Sequence, residues 1–410
     1  MSTLTKKDIN LFLGVLVVSL IGNVCADNAL MWYGLSLIAP SESTGSSSSL
    51  TYFYVGQAVG VIALSPLFAV VFDRFSKLLS SIALDVLYAV MLVAMAVLFK
   101  FDLLSPAVIF VFSMLTAALA ILHKSSVGFA AVQRMSEITG VTDVVAKFIA
   151  ALNVPFLIGS VLSGIVFQYL GFMGCMVIGV VSFLPMPFIY FRIFGKEKIE
   201  KSTSSNFIRD LKDGVTTLKG DKLLSGTALS VAVVNIASAV MPAIVGFAFM
   251  KAFPGRTDYA SIAISVSILA GIIVTKKVGE LAKTWPTQAV IPLSVLPAGI
   301  ALILCLVFPN PFLVAFMFLL SCVGSAARNV STGSLRVARV PKALIGRVNT
   351  VYSSLLYVGQ TIGGFVVIKA VQNDFEMAIW SILACFVAAS FVSYMLLPQE
   401  RVSAVLEASK

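Results

Sequence analysis

Twelve apolar runs of membrane-spanning length follow one another along the chain, at 9–39, 50–72, 78–99, 106–130, 144–169, 172–193, 223–250, 259–280, 286–308, 312–335, 345–370 and 376–396. Polar residues, proline or glycine close each of them. An α-helix crosses the hydrocarbon layer in about 20 residues, so each run is a candidate span. Backbone groups in lipid must be bonded within their own segment, which makes helix the expected element. Composition agrees: 59% of the 410 residues are apolar and 12% charged, where soluble domains carry roughly 25% charged residues. A water-facing surface cannot be assembled from that, which excludes a soluble hydrolase, a disordered chain and a disulfide scaffold. The expected fold class is an all-α membrane protein with twelve transmembrane helices.

The bases fix the orientation. With the N-terminus cytoplasmic, 23 of the 29 Lys and Arg residues fall inside, only Lys100, Lys251, Arg256 and Lys369 fall outside, and Lys124 and Arg328 lie within spans. Under the positive-inside rule both termini are predicted to be cytoplasmic. The Ser-rich turn at 41–49 then faces the exterior. The formal charge of +10 belongs to this topology, and no nucleic-acid partner is expected. The first run is too long for a signal-peptide core and reads as a retained helix.

Catalytic and metal chemistry find little here. Cys25, Cys175, Cys305, Cys322 and Cys385 all sit in apolar runs without CxxC spacing, which supports neither a disulfide framework nor a zinc site. A single histidine rules out His-rich metal sites and argues against a Ser-His-Asp triad, and no GxxxxGK[ST] loop is present for ATP. The expectation is a protein that is not an enzyme, holds no metal or cofactor, and draws on a proton gradient or its substrate's own gradient.

One long polar segment, 192–222, separates a first half (1–191) from a second (223–410). Within it Phe207, Leu211, Val215 and Leu218 recur at helical spacing opposite Arg209, Lys212 and Lys219. That pattern predicts a short amphipathic helix along the inner leaflet. The halves also repeat weakly: an offset of 204 brings Ile362-Gly363 onto Ile158-Gly159, Lys276-Lys277 onto Phe72-Asp73, and Arg328 onto Lys124. Six spans per half is even, so the two six-helix halves keep one direction and are pseudo-symmetric. In such parallel repeats a substrate site forms near mid-membrane while the halves rock, which implies a monomeric carrier of a small molecule in the lipid bilayer.

Specific motifs then enter. Asp73-Arg74-Phe75-Ser76-Lys77 follows the second run seven residues after Pro66, and Asp85 lies twelve residues beyond Asp73. This resembles the helix two to helix three signature of the major facilitator superfamily. More narrowly, the chain resembles the bacterial branch that includes enterobactin exporters and macrolide-efflux proteins. Three stretches agree: Asn206-Phe207-Ile208-Arg209-Asp210-Leu211-Lys212-Asp213-Gly214-Val215, Ile158-Gly159 with Gly164, and Val340-Pro341 followed by Gly346-Arg347-Val348. The resemblance implies the major facilitator fold and export across the bacterial cytoplasmic (inner) membrane by proton antiport, with a carboxylate siderophore as the first substrate candidate. Ser160 and Ser163 stand where the antiporter pattern of helix five has a proline and a glycine. Gly159-Ser160-Val161 and Asp27-Asn28-Ala29-Leu30 are similar instead to lysophospholipid transporters of the superfamily. A multidrug exporter is a further alternative.

An ionisable group at the centre of a span costs ~2.5–3.5 kcal/mol on insertion scales, so each is a functional candidate. Asp27, with Met31 nearby, can trade a proton between the membrane faces or serve as a structural partner of Lys124 or Arg328, and Asn23 and Trp32 beside it are substrate-binding candidates. Those two cations occupy equivalent places in the halves and suit carboxylates or phosphates; snorkelling is their bland alternative. His123 is a proton-relay candidate, though a lone histidine is more often a packed hydrogen-bonding side chain. Asp73, Arg74 and Lys77 form a candidate gate, joined by Asp85, with Arg134 as its expected partner. Asn235, Tyr357, Gln57, Asn153 and Gln360 are polar groups able to face a cavity or to bond helix to helix.

Overall fold

The computed structural model of the chain describes residues 6–38, 48–64, 77–122, 141–194, 207–282, 284–341, 344–373, 375–399 and 402. Fourteen α-helices carry these residues, with no strand among them: α1 (Lys6–Ile38), α2 (Ser48–Val59, continued by a π-helical turn Gly60–Leu64), α3 (Lys77–Lys100), α4 (Pro106–Leu122), α5 (Val141–Phe183), α6 (Met186–Phe194), α7 (Phe207–Gly220), α8 (Lys222–Ser238), α9 (Met241–Ala252), α10 (Thr257–Ala282), α11 (Val290–Val307), α12 (Pro311–Arg339), α13 (Ile345–Asn373) and α14 (Phe375–Leu396). Eight helical stretches among the described residues are long and apolar enough to cross a membrane, and Ser49–Leu64 and Pro106–Ala120 are shorter apolar helices.

The breaks have local causes. The expected fifth and sixth spans run together in α5 and part only at Gly171, whose φ of 65° and ψ of −166° lie outside the helical region. No atom lies within 4 Å of a Cβ placed there, so backbone conformation and not crowding calls for glycine. The seventh span is divided between α8 and α9, with proline in the first turn of α9, where a missing N–H costs no helical bond. Divided and joined in this way, the described helices follow the twelve expected runs, with the short α7 between the sixth and the seventh.

Lipid exposure is written on the helix surfaces. Along α3, Val86, Val90, Val93 and Val97 form one stripe, each between 47% and 58% exposed, while Asp85, Tyr88, Leu92 and Met95 on other faces are buried. Apolar residues outward and a carboxylate inward reverse the soluble pattern, as a lipid solvent requires.

By internal packing the chain divides into two compact units: Met1–Ser204 with Gly255–Ser265, and Ser205–Pro254 with Val266–Lys410. In the first, α1 packs on α5, and α3 packs on α5 and α6; in the second, α8 packs on α13 and α14, and α11 on α14. The glycines noted at the 204-residue offset explain one matching pair of contacts. A Cβ on Gly159 would stand 2.8 Å from Val24 Cβ and 3.1 Å from the Ile21 carbonyl of α1, and one on Gly363 would strike the Ile236 carbonyl of α8. In each half, then, the fifth helix of six approaches the first through a glycine. Residues 255–265 join the first unit because the bare surface of Gly164 admits the start of α10: Thr257 Oγ1 donates to the Gly164 carbonyl at 2.9 Å, and Thr257 N–H to Gln168 Oε1 at 3.0 Å.

The linker helix α7 is amphipathic as expected, with Lys212 and Lys219 exposed. The described part of its apolar side packs on protein, where the expectation laid it on the leaflet. Leu218 is buried in a cluster with Leu224, Ala228, Val340, Val348, Val351 and Tyr352, and Val215 packs against it. Gly214 makes this possible, since a Cβ there would sit 2.8 Å from the Arg347 carbonyl oxygen at the start of α13. An Arg347–Asp213 ion pair at 2.7 Å closes the contact.

Candidate functional site

In the first unit, α1 presents Asn23, Asp27 and Met31 at one-turn spacing. Asp27 is half-buried, and its Oδ1 accepts a hydrogen bond from the Tyr88 hydroxyl of α3 at 3.2 Å. Tyr88 is itself held by Phe183, ring centroids 4.9 Å apart. Asn23 is buried, and Met31 receives the Tyr54 hydroxyl on its sulfur at 3.8 Å. A carboxyl with a neutral phenol partner, set among helices, can hold or release a proton without breaking an ion pair.

Trp32, the residue after Met31 on α1, is fully buried, and its indole N–H donates to Ser163 Oγ at 3.2 Å. Asn28 Nδ2 reaches Ser160 Oγ at 3.4 Å and Ser163 Oγ at 3.3 Å. The two serines that depart from the antiporter pattern are thus among the α5 groups that bond α1. Trp32 belongs to this packed contact, with no open face in this conformation.

Asp85 is buried on α3, and Tyr190 of α6 brings its hydroxyl to the carboxylate. Arg134, the partner expected for Asp85, lies outside the described residues, as do Asp73, Arg74, His123 and Lys124. Lys77 begins α3.

In the second unit, Asn235 Nδ2 of α8 donates to the Leu356 carbonyl of α13 at 2.7 Å, which brings Asn235 level with half-buried Tyr357. Helix-to-helix bonding thus uses at least one of the Asn235 donors. Arg328 lies in α12 with 5% of its surface exposed. Its Nη1 donates to Ser294 Oγ of α11 at 3.3 Å, while its Nε, also buried, has no hydrogen-bond partner among the described residues. No carboxylate among them pairs with it. Removing one partner of a buried charge pair costs several kcal/mol, and among the described residues Arg328 has no acidic partner to lose.

Three residues at these sites escaped the sequence reading. Tyr88 and Tyr190, the phenols on Asp27 and Asp85, carried one available signal: Tyr88 follows Asp85 by three residues and so shares its helix face. Arg336, two turns after Arg328, reads in sequence as one more base at a cytoplasmic helix end. No group of three or more His, Cys, Asp or Glu residues among the described residues is placed to hold a metal ion.

Long apolar helices with ionisable groups inside them, Asp27, Asp85 and Arg328, are the frame of a membrane transporter. The family model of the Major Facilitator Superfamily matches residues 20–364, and the chain belongs to that superfamily. It is accordingly a multi-pass transporter with the twelve-helix fold and not an enzyme. Comparison with curated proteins gives no match. Among solved structures, a bacterial homologue of the iron transporter ferroportin in an inward-facing state is similar at 16% identity, with 96% of this chain and 99% of that one covered and a TM-score of 0.74. The nucleoside transporter NupG is similar at 16% identity, with 94% and 99% covered and a TM-score of 0.68. A bacterial homologue of the human lysosomal transporter Spinster, inward-facing and unoccupied, is similar at 11% identity, with 99% of both chains covered and a TM-score of 0.69. At these identities the likeness is one of fold.

Proposed function

We propose that this carrier exports a small anionic or zwitterionic molecule, of the kind a carboxylate siderophore represents, across the bacterial inner membrane in exchange for protons. Arg328 carries the reading: a buried guanidinium whose Nε has no partner among the described residues suits a carboxylate or phosphate, to which an arginine fork binds in two parallel hydrogen bonds. Asp27, bonded to neutral Tyr88, is the proton-exchanging group in this account. Both termini lie in the cytoplasm and the protein works as a monomer.

A second reading has its own support. The Asp27-Asn28-Ala29-Leu30 and Gly159-Ser160-Val161 stretches that resemble lysophospholipid transporters touch one another through Asn28 and Ser160, so they form one local structure. A lysophospholipid also carries a phosphate for Arg328.

Transport of a carboxylate siderophore into inverted vesicles, compared between the wild type and Arg328→Gln, tests the proposal. A drop in apparent affinity of about tenfold or more is expected for loss of a charge-assisted contact. Equal affinity in both would refute it.

A further inference from the structure

Arg328 does not stand alone. Two turns along α12, about 12 Å by helix rise, Arg336 lies with its Cζ 4.0 Å above the ring of Tyr352 from α13. Tyr352 is 2% exposed, and Thr332, midway between the two arginines on the same helix face, donates its hydroxyl to the Arg328 carbonyl at 2.9 Å. Each guanidinium is used in the same way: Nη1 goes to a neutral oxygen, Ser294 Oγ at 3.3 Å for Arg328 and Asn349 Oδ1 at 3.1 Å for Arg336. In both, the Nε is buried and has no hydrogen-bond partner among the described residues.

Among the described residues no carboxylate pairs with either arginine of this cluster. Two described carboxylates of the same unit are engaged with other bases, Asp213 with Arg347 at 2.7 Å and Asp221 with Arg339 at 3.5 Å. A hydroxyl, an amide oxygen and an aromatic face solvate a cation in part, and none of them neutralises it. Two largely dehydrated cations on one helix face, each with the Nε side of its fork unused, form a receptor for two anionic groups.

We propose that Arg328, Arg336 and Tyr352 form a single two-cation site whose ligand carries at least two carboxylate or phosphate groups. This rests on the anionic-substrate reading of Arg328 and narrows it: a substrate with one anionic group fills half the site. Arg336 on the face of Tyr352 supplies the discrimination, because only a second anionic group reaches it.

The test is calorimetric titration of the full chain in phosphatidylcholine nanodiscs with citrate, which bears three carboxylates, and with acetate, which bears one. The wild type is expected to prefer citrate strongly. Arg336→Gln is expected to weaken citrate about tenfold or more and to erase most of its advantage over acetate, with partial recovery in Arg336→Lys showing that the charge and not the fold was lost. If Arg336→Gln keeps full citrate affinity while Arg328→Gln loses it, the two-cation site is wrong and the anionic reading stands. If the wild type binds neither probe, both readings fall. If citrate fails to bind once phosphatidylglycerol is added to the nanodisc, the arginines serve a lipid headgroup and the substrate site is overturned.

Discussion

Asp213 and Arg347, 134 residues apart in sequence, meet at 2.7 Å between Oδ2 and Nη1 and fasten the linker helix α7 to the first turns of α13. The two stretches that carry much of the family resemblance in the second half are therefore the two sides of one contact. Both side chains are more than a third exposed, so the pair itself contributes roughly 0.2–1 kcal/mol. Gly214 and Leu218 beneath it do more.

This ordering is testable by substitution. Asp213→Asn is expected to lower the apparent unfolding midpoint slightly. Gly214→Leu should lower it clearly more, since the new side chain would press on backbone atoms of Arg347 that cannot swing aside; overpacking of this sort costs typically 1–3 kcal/mol. Limited proteolysis of the linker reads the same undocking, and equal cleavage of wild type and Gly214→Leu would contradict the account.

Glycine contacts at the 204-residue offset make a paired prediction. Gly159→Leu and Gly363→Leu should both destabilise the detergent-solubilised protein, each by about 1–3 kcal/mol. Gly363→Leu is expected to be the worse of the two, because its Cβ meets a backbone carbonyl before any side chain. A thermal-shift series in which either variant is as stable as wild type removes that glycine from the helix contact.

Asp27 and Tyr88 separate a coupling role from a packing role. Asp27→Asn keeps the shape and removes the titrating group, so it should abolish flux driven by a pH step in proteoliposomes while sparing expression. Tyr88→Phe keeps the carboxyl and should keep the coupling. Full proton-driven flux in Asp27→Asn would take Asp27 out of the mechanism.

Topology follows from the distribution of bases. On a cysteine-free background, Ser46→Cys is expected to react with an impermeant thiol reagent added outside intact cells, and Ser204→Cys is not. The reverse labelling would invert the orientation.

Much of this fold is legible in the sequence because lipid leaves a chain few options: every span must be a long apolar helix, and the twelve runs say so directly. Glycine at 159 and 363 is legible for a related reason, since a repeated small residue marks a repeated close approach. The Gly171 break was foreseen only as a boundary near 170, because a single residue with positive φ has no periodic signature. Amphipathicity announced α7 but laid its apolar side on the leaflet; Leu218 packs on protein instead, because Gly214 meets α13, more than a hundred residues later. Asp27, Asp85 and Arg328 stand out as charges in apolar runs. Their partners Tyr88, Tyr190 and Ser294 do not, because tyrosine and serine are common in spans and gain meaning only once helices are packed.

Uptake into inverted membrane vesicles with an acidic interior tests the central claim most directly, with a carboxylate siderophore, a lysophospholipid and a lipophilic cationic dye offered in parallel. The account predicts accumulation of the siderophore, collapsing when the pH gradient is dissipated. Strong gradient-driven accumulation of the cationic dye alone would contradict it.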